Sequence, residues 1–226
     1  MLALPALARS TYADAILASK PTRYYRCGET SGTLLRDIVG GNDLTISGTP
    51  TKRGANGPPG IADAAGFQTT NGSGGFASAG AVALPTTAYT LAAWTLGGSV
   101  SDRGIFGQWQ GSVGALLYRS SSTKLAFIHR GTNLIASNTN DGNWHFVVGT
   151  WDGSNINLYV DGILVGGPSA NGTAAGSAGG WGIGTYFVAG SGSSRITTGT
   201  TAECVLWSRA LPLGEVQHFA ALGFGR

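Results

Sequence analysis

The sequence predicts an all-β chain, a sandwich or barrel of short antiparallel strands, and three observations predict it. Apolar residues recur with a period of about two in short runs, and clusters of Gly, Asn and Asp part those runs. Glycine supplies 38 of 226 residues without a collagen period. Charged residues make up only 11% of the chain. This composition excludes coiled coils, long charged helices and acidic disordered chains. A chain of this length buries enough surface to fold without a metal or disulfide staple. The expected organisation is an apolar arm, residues 1–9, followed by one domain, residues 10–226.

Ser10 to Lys20 reads as a short helix, with Ser10 or Thr11 as cap, Asp14 in the first turn and Pro21 as stop. Strands are expected at Arg23–Cys27, Leu44–Ser47, Gly66–Thr69, Tyr89–Leu96, Ile105–Gln110, Gly114–Arg119 and Leu125–His129. Further strands are expected at Leu134–Ser137, Trp144–Thr150, Ile156–Val160, Ile163–Val165, Gly182–Phe187 and Thr201–Trp207. Between Trp144 and Val165 the turn signals are clearest: Asp152-Gly153-Ser154-Asn155 makes one turn and Asp161-Gly162 another. Asp-Gly between apolar runs suits a type I′ hairpin, whose two central residues need positive φ, so three strands form a meander. Gly166 to Arg195, rich in Gly, Ala and Ser, reads as a loop followed by a strand. Leu211 to Gly223 turns helical, with Leu213, Val216, Ala220 and Leu222 on one face and Gly223 as terminator.

Fourteen basic and eleven acidic residues are scattered along the chain, and no cationic run marks a phosphate-tracking stripe, so nucleic acid is not expected as a partner. The start, Met1 to Arg9, is apolar but lacks a cationic n-region and is broken by Pro5, a poor signal peptide. No apolar run reaches the length of a membrane helix. A soluble chain made in the cytoplasm, without membrane insertion, is the expectation. Cys27 and Cys204 form no disulfide framework; they read as buried thiols, with pairing left open.

Four blocks resemble laminin-G-like, concanavalin A-like jelly-roll domains. Tyr24-Tyr-Arg-Cys-Gly-Glu29 with Ser31-Gly32-Thr33 and Asp37 resembles their opening strand and turn. Tyr89-Thr-Leu-Ala-Ala-Trp94 resembles their central strand. Asn143-Trp-His145 through Thr150-Trp-Asp-Gly153 to Leu158-Tyr-Val-Asp-Gly162 resembles their most recognisable block, and Glu203-Cys-Val-Leu-Trp207, Arg209-Ala-Leu211 and Glu215 their closing strand and helix. The resemblance runs from about Tyr12 to Gly223 and implies a jelly-roll sandwich with short helices at both ends. It also implies that the first and last strands are near each other, which makes Cys27 and Cys204 neighbours. Cys27, Cys204 and Ala202 depart from the family pattern, Ala202 standing where many relatives carry an acid.

Glycosidases on this fold need two facing carboxylates. Here Glu29, Glu203 and Glu215 have no acidic neighbour two residues away, and Asp152 and Asp161 are explained by their turns. No nucleophile elbow or phosphate-cradling loop is present, so an enzyme is not expected. No cofactor is expected, although relatives often carry a rim calcium, for which Asp102 after Gly97-Gly-Ser-Val-Ser101 is the candidate loop acid. His145 reads as a structural histidine. Alternation nevertheless suggests that His145, Trp151, Asn157 and Tyr159 line an outer sheet face suited to a sugar or a partner protein. Trp109 and Trp181, near Gly-rich loops, are rim candidates.

The sequence is thus expected to encode a non-catalytic binding or assembly protein. A chain lacking an export signal but carrying a fold typical of exposed surfaces fits a virion surface component, a phage head-decoration or minor tail protein. In that role Leu2, Leu4 and Leu7 of the arm would dock onto neighbouring subunits. The alternative is a free, extracellular lectin-like module that binds cell-surface glycan, and a weaker one is a glycoside hydrolase.

Overall fold

Trp144–Trp151, eight consecutive buried residues, form the strand around which the site is organised. The computed structural model describes residues 11–49, 52–61, 65–69, 75–80, 82–98, 101–110, 112–136, 139, 141–176, 180–185, 196 and 198–226. The arm, with Leu2, Leu4 and Leu7, lies outside the described residues.

Two antiparallel sheets face each other. The first runs, in spatial order, β14 (Ile163–Ala170), β13 (Asn155–Val160), β12 (Trp144–Trp151), β7 (Tyr89–Leu96), β16 (Gly199–Trp207), β5 (Ala65–Thr69) and β4 (Lys52–Asn56). A further strand, β1 (Arg23–Tyr25), pairs with the far end of β16. The second sheet runs β11 (Thr132–Ile135), β10 (Lys124–His129), β9 (Val113–Ser121), β8 (Arg103–Gln110), β15 (Trp181–Ile183), β6 (Phe76–Ala79), β3 (Leu44–Ser47) and β2 (Leu34–Leu35). This is the jelly-roll sandwich that the resemblance implies. The expected boundaries of β3 and β7 coincide with those observed.

One apolar core fills the space between the sheets, including Tyr25, Leu91, Phe106, Phe127, Val147, Leu158 and Leu206. A second covers the outer face of the first sheet, where Trp94, Phe146, Val148, Val205 and Trp207 pack under both helices. Helix α1 (Tyr12–Ala18) starts at Thr11, whose hydroxyl accepts the Asp14 N–H while the Asp14 carboxylate accepts the Thr11 N–H. This reciprocal pair is a capping box. The helix buries Tyr12 and Ile16, and Tyr12 Oη accepts the Trp94 indole N–H at 3.1 Å. Helix α2 (Leu213–Gly223) buries Val216, Phe219, Ala220 and Gly223. That face differs from the expected one: Phe219 stacks on Trp207 at 5.8 Å, which rotates Leu213 out to 46% exposure.

Two further expectations are corrected. The stretch after Val165 does not leave the sheet as a loop; β14 continues through its glycines to Ala170, still paired with β13. The strand expected at Gly182–Phe187 is β15, Trp181–Ile183, and positions 186 and 187 lie outside the described residues. Cys27 and Cys204 are both buried free thiols.

Candidate functional site

β12 outruns its neighbour, and that mismatch builds the site. Its pairing with β13 covers only Val147–Trp151 against Ile156–Val160. Trp144, His145 and Phe146 therefore project past the hairpin tip, held on the other side by Leu96, Thr95 and Trp94 of β7. The tip itself is the expected type I′ turn, with Asp161 at φ 55° and Gly162 at φ 82°, values that right-handed residues avoid and that Asp and Gly tolerate. Asp161 takes the place of the missing strand. Its N–H donates to the Phe146 carbonyl at 2.8 Å, and its Oδ1 accepts the Phe146 N–H at 2.8 Å.

The second carboxylate oxygen of Asp161 lies 2.7 Å from His145 Nδ1, and His145 Nε2 lies 3.1 Å from Asp141 Oδ1. Asp141 is fixed in turn by the Asn143 N–H, which donates to its Oδ1 at 2.9 Å. The bond to Asp161 is the main reason the His145 imidazole titrates above its ordinary value, with Asp141 adding to it against the cost of burial. The donors from Asn143 and His145 hold the Asp141 carboxyl down to about 2. At neutral pH Asp141 is an anion, and both ring nitrogens of His145 are engaged.

These residues open onto a pocket of about 470 Å³ lined by Pro59, Leu96, Asp141, Gly142, Asn143, Trp144, His145, Asp161, Phe224 and Arg226. The apolar wall comes from the end of α2. Gly223 packs so closely that a Cβ there would fall 2.0 Å from Trp94 Cζ2, which lets Phe224 sit edge-on to Trp94 at 5.0 Å. The Arg226 guanidinium lies over the Phe224 ring at 5.1 Å, a cation–π contact.

The structure redistributes the residues singled out in the sequence. His145 reaches the pocket. Trp151 does not share its surroundings, nor do Asn157 and Tyr159: Trp151 faces the inter-sheet core while Tyr159 belongs to the outer cluster. The reason is register. Trp151 stands opposite Ile156 and Tyr159 opposite Val148, and directly paired residues share a face. Trp151 stacks on His129 at 5.1 Å, and its indole N–H donates to the Asn171 carbonyl at 2.7 Å. Asn157 is half-buried beside Thr150. Trp181 is no rim residue; at 0% exposure it packs edge-on to Phe106 at 4.8 Å. Trp109 is buried on the outer face of the second sheet with Leu116, Tyr118, Ala126 and Ile128. Asp102 stands exposed on a turn at φ 59°, and among the described residues no three His, Cys, Asp or Glu side chains gather as a metal site. Sequence reasoning missed Trp144, Asp141, Phe224 and Arg226 as site residues and gave Asp161 to its turn alone.

A family model described as the concanavalin A-like lectin/glucanases superfamily (Laminin_G_3) matches residues 70–217. The chain belongs to this superfamily. Its laminin-G-like fold is also found in solved structures of low sequence identity. Trypanosoma rangeli sialidase, in complex with 2,3-difluoro-KDN, aligns with a TM-score of 0.60 at 15% identity over 88% of this chain and 32% of its own. The ligand binding domain of botulinum neurotoxin serotype D, in complex with N-acetylneuraminic acid, aligns at 0.63 and 11% identity over 91% of this chain and 52% of its own. Botulinum neurotoxin type C, whose cell entry is described as dependent on two ganglioside molecules, aligns at 0.63 and 12% over 91% and 52%. This laminin-G-like chain thus spans between a third and a half of those chains. No curated protein sequence matches it.

Proposed function

We propose that this laminin-G-like domain is a non-catalytic carbohydrate-binding module and that the pocket at the start of β12 holds the sugar. The observation that carries this reading is the meeting of aromatic surface with fixed carboxylates: Trp144 and Phe224 line the same pocket as Asp141, Asp161 and Arg226. A pyranose offers an apolar C–H face, which stacks on a ring, and hydroxyls, which donate to immobilised carboxylates and accept from a guanidinium. A volume of about 470 Å³ lies within the range of small-ligand sites. The glycan ligands of the structural neighbours support the same class of partner.

The protonation of Asp141 and the pairing of His145 favour binding over cleavage at this pocket. Glycoside hydrolysis needs one carboxyl that still carries its proton to give to the leaving oxygen. Asp141, held down to about 2, carries none at neutral pH, and His145 has both nitrogens occupied by carboxylates. Assembly into a larger particle rests on the arm with Leu2, Leu4 and Leu7, outside the described residues, so the pocket carries the reading instead.

The test is a glycan array probed with the purified chain, with and without calcium, followed by titration of the best hit. Binding is expected without calcium, and Trp144→Ala is expected to weaken it by roughly 2- to 12-fold, the equivalent of one lost stacking contact. Silence across the array, or affinity unmoved by Trp144→Ala and by Arg226→Ala, overturns the proposal.

A further inference from the structure

We propose that Cys27 and Cys204 are the two halves of an internal disulfide that fastens β1 to β16 when the reduced protein meets a small-molecule disulfide such as oxidised glutathione. The β1–β16 register sets Tyr25 opposite Cys204, and the two chains stay together past Tyr25, where the Glu203 N–H donates to the Arg26 carbonyl at 3.4 Å. Cys27 follows directly. Its φ of 64° turns the chain where β1 has ended, and its side chain joins the inter-sheet core that also holds Cys204. Cys204 sits within the irregular step of β16 between Ala202 and Val205. Each sulfur faces a carbonyl two residues back in its own segment, Tyr25 for Cys27 at 3.8 Å and Ala202 for Cys204 at 4.0 Å, and Cys204 is near enough to Cys27 to push its thiol up. Both are buried, at 1% and 0% exposure.

The chemistry balances with the named oxidant. The thiolate of one cysteine attacks a sulfur of oxidised glutathione, forming a mixed disulfide and releasing one glutathione thiolate. The second protein thiolate then attacks the protein sulfur of that mixed disulfide and releases the other. Two protein thiols lose two protons and two electrons, and one glutathione disulfide becomes two glutathione thiols. Adjacent thiols favour the second step over accumulation of the adduct.

Access for the first step comes from the edge. The neighbouring Cys204 thiol and burial hold the Cys27 thiol well above the ordinary range, so the closed fold presents no Cys27 thiolate. But β1 is three residues long and lies off the main strand path, paired through β16. Local opening of this segment, at the cost of withdrawing Tyr24 and Tyr25 from the two cores, is the route by which the oxidant reaches the sulfurs. Once formed, the bond closes a loop that contains most of the chain, the case in which cross-linking restrains the unfolded state most.

The experiment uses the whole chain, reduced and then equilibrated with oxidised glutathione at alkaline pH until the β1 amides have fully exchanged with deuterium. Thiols are counted under denaturing conditions and the intact mass is measured. The expected result is a monomer with no titratable thiol, lighter by two hydrogens, whose thermal midpoint rises by about 10 °C and falls back on reduction. Cys27→Ser and Cys204→Ser each remove the oxidant-dependent rise. Two thiols still titrating, glutathione adducts without ring closure, or intermolecular dimers would each overturn the proposal, and all three are read from the unmutated chain.

Discussion

Replacing Asp161 by Asn isolates the electrostatic part of the site from its architecture. Asn tolerates the left-handed backbone at position 161 and keeps an oxygen to accept the Phe146 N–H, so the β13–β14 tip stays in place. What is lost is the charge facing His145 Nδ1 at 2.7 Å. A hydrogen bond between charged groups exceeds a neutral one by about 1 kcal/mol, and with the Asp161 carboxylate partly exposed that figure is an upper value. His145 titrates above its ordinary value because of Asp161. A raised value in the folded state means the pairing contributes fully below about pH 6.5. It is lost as the pH rises through the folded value. Urea denaturation should therefore find Asp161→Asn less stable than the parent by up to about 1 kcal/mol at pH 5.5, with the gap narrowing at pH 9. Asp161→Ala also strips the acceptor from a buried N–H and places alanine at φ 55°. Its loss should be larger, about 2–4 kcal/mol, and should persist at both pH values. An Asn variant with the same deficit at both pH values, or a parent His145 titrating at or below free histidine by NMR, would refute this reasoning.

Three other substitutions test the packing that supports the site. Gly223→Ala should lower the thermal midpoint by several degrees and displace Phe224 from the pocket wall, because its Cβ would overlap the Trp94 ring; differential scanning calorimetry and the Phe224 ring shifts read both effects. Glu203→Gln should cost about 1–3 kcal/mol in urea denaturation, because buried Glu203 accepts the Tyr24 hydroxyl and both Arg26 Nε and Nη2 at 3.1 Å, and neutralising it takes the charge out of all three bonds. Arg119→Met should leave the midpoint unchanged or raise it: the guanidinium is buried, lowered to about 10 by desolvation, and its Nε and Nη1 find no hydrogen-bond partner among the described residues. A fall of more than about 5 °C would show that its bond to Thr95 outweighs the buried charge.

The strands were legible where alternation and turn chemistry agreed. Tyr89–Leu96 and the Asp161-Gly162 turn are plain in the sequence because β-rich runs end in residues that tolerate positive φ. Leu34–Leu35, Lys52–Asn56 and Phe76–Ala79 were not, being short or rich in small residues that carry no two-residue pattern. The candidate site was half legible. His145 stands out within its strand, but Trp144 beside it was placed on the opposite face, and alternation along one strand does not say how the next one is phased. The four-residue turn Asp152–Asn155 held that information, since closing it pairs Trp151 with Ile156 and so sends Trp151 inward. Phe224 and Arg226 reach the pocket only through the packing of α2 on Trp94, a contact between distant parts of the chain that no local pattern encodes.

The most direct measurement is the map of backbone amide shifts when the best array glycan is titrated into the labelled chain. Shifts concentrated at residues 141–146, 161–162 and 224–226 are the predicted result. Shifts centred instead on the outer face of the second sheet around Trp109 and Tyr118, or none at saturating sugar, would contradict a sugar site at the free end of β12.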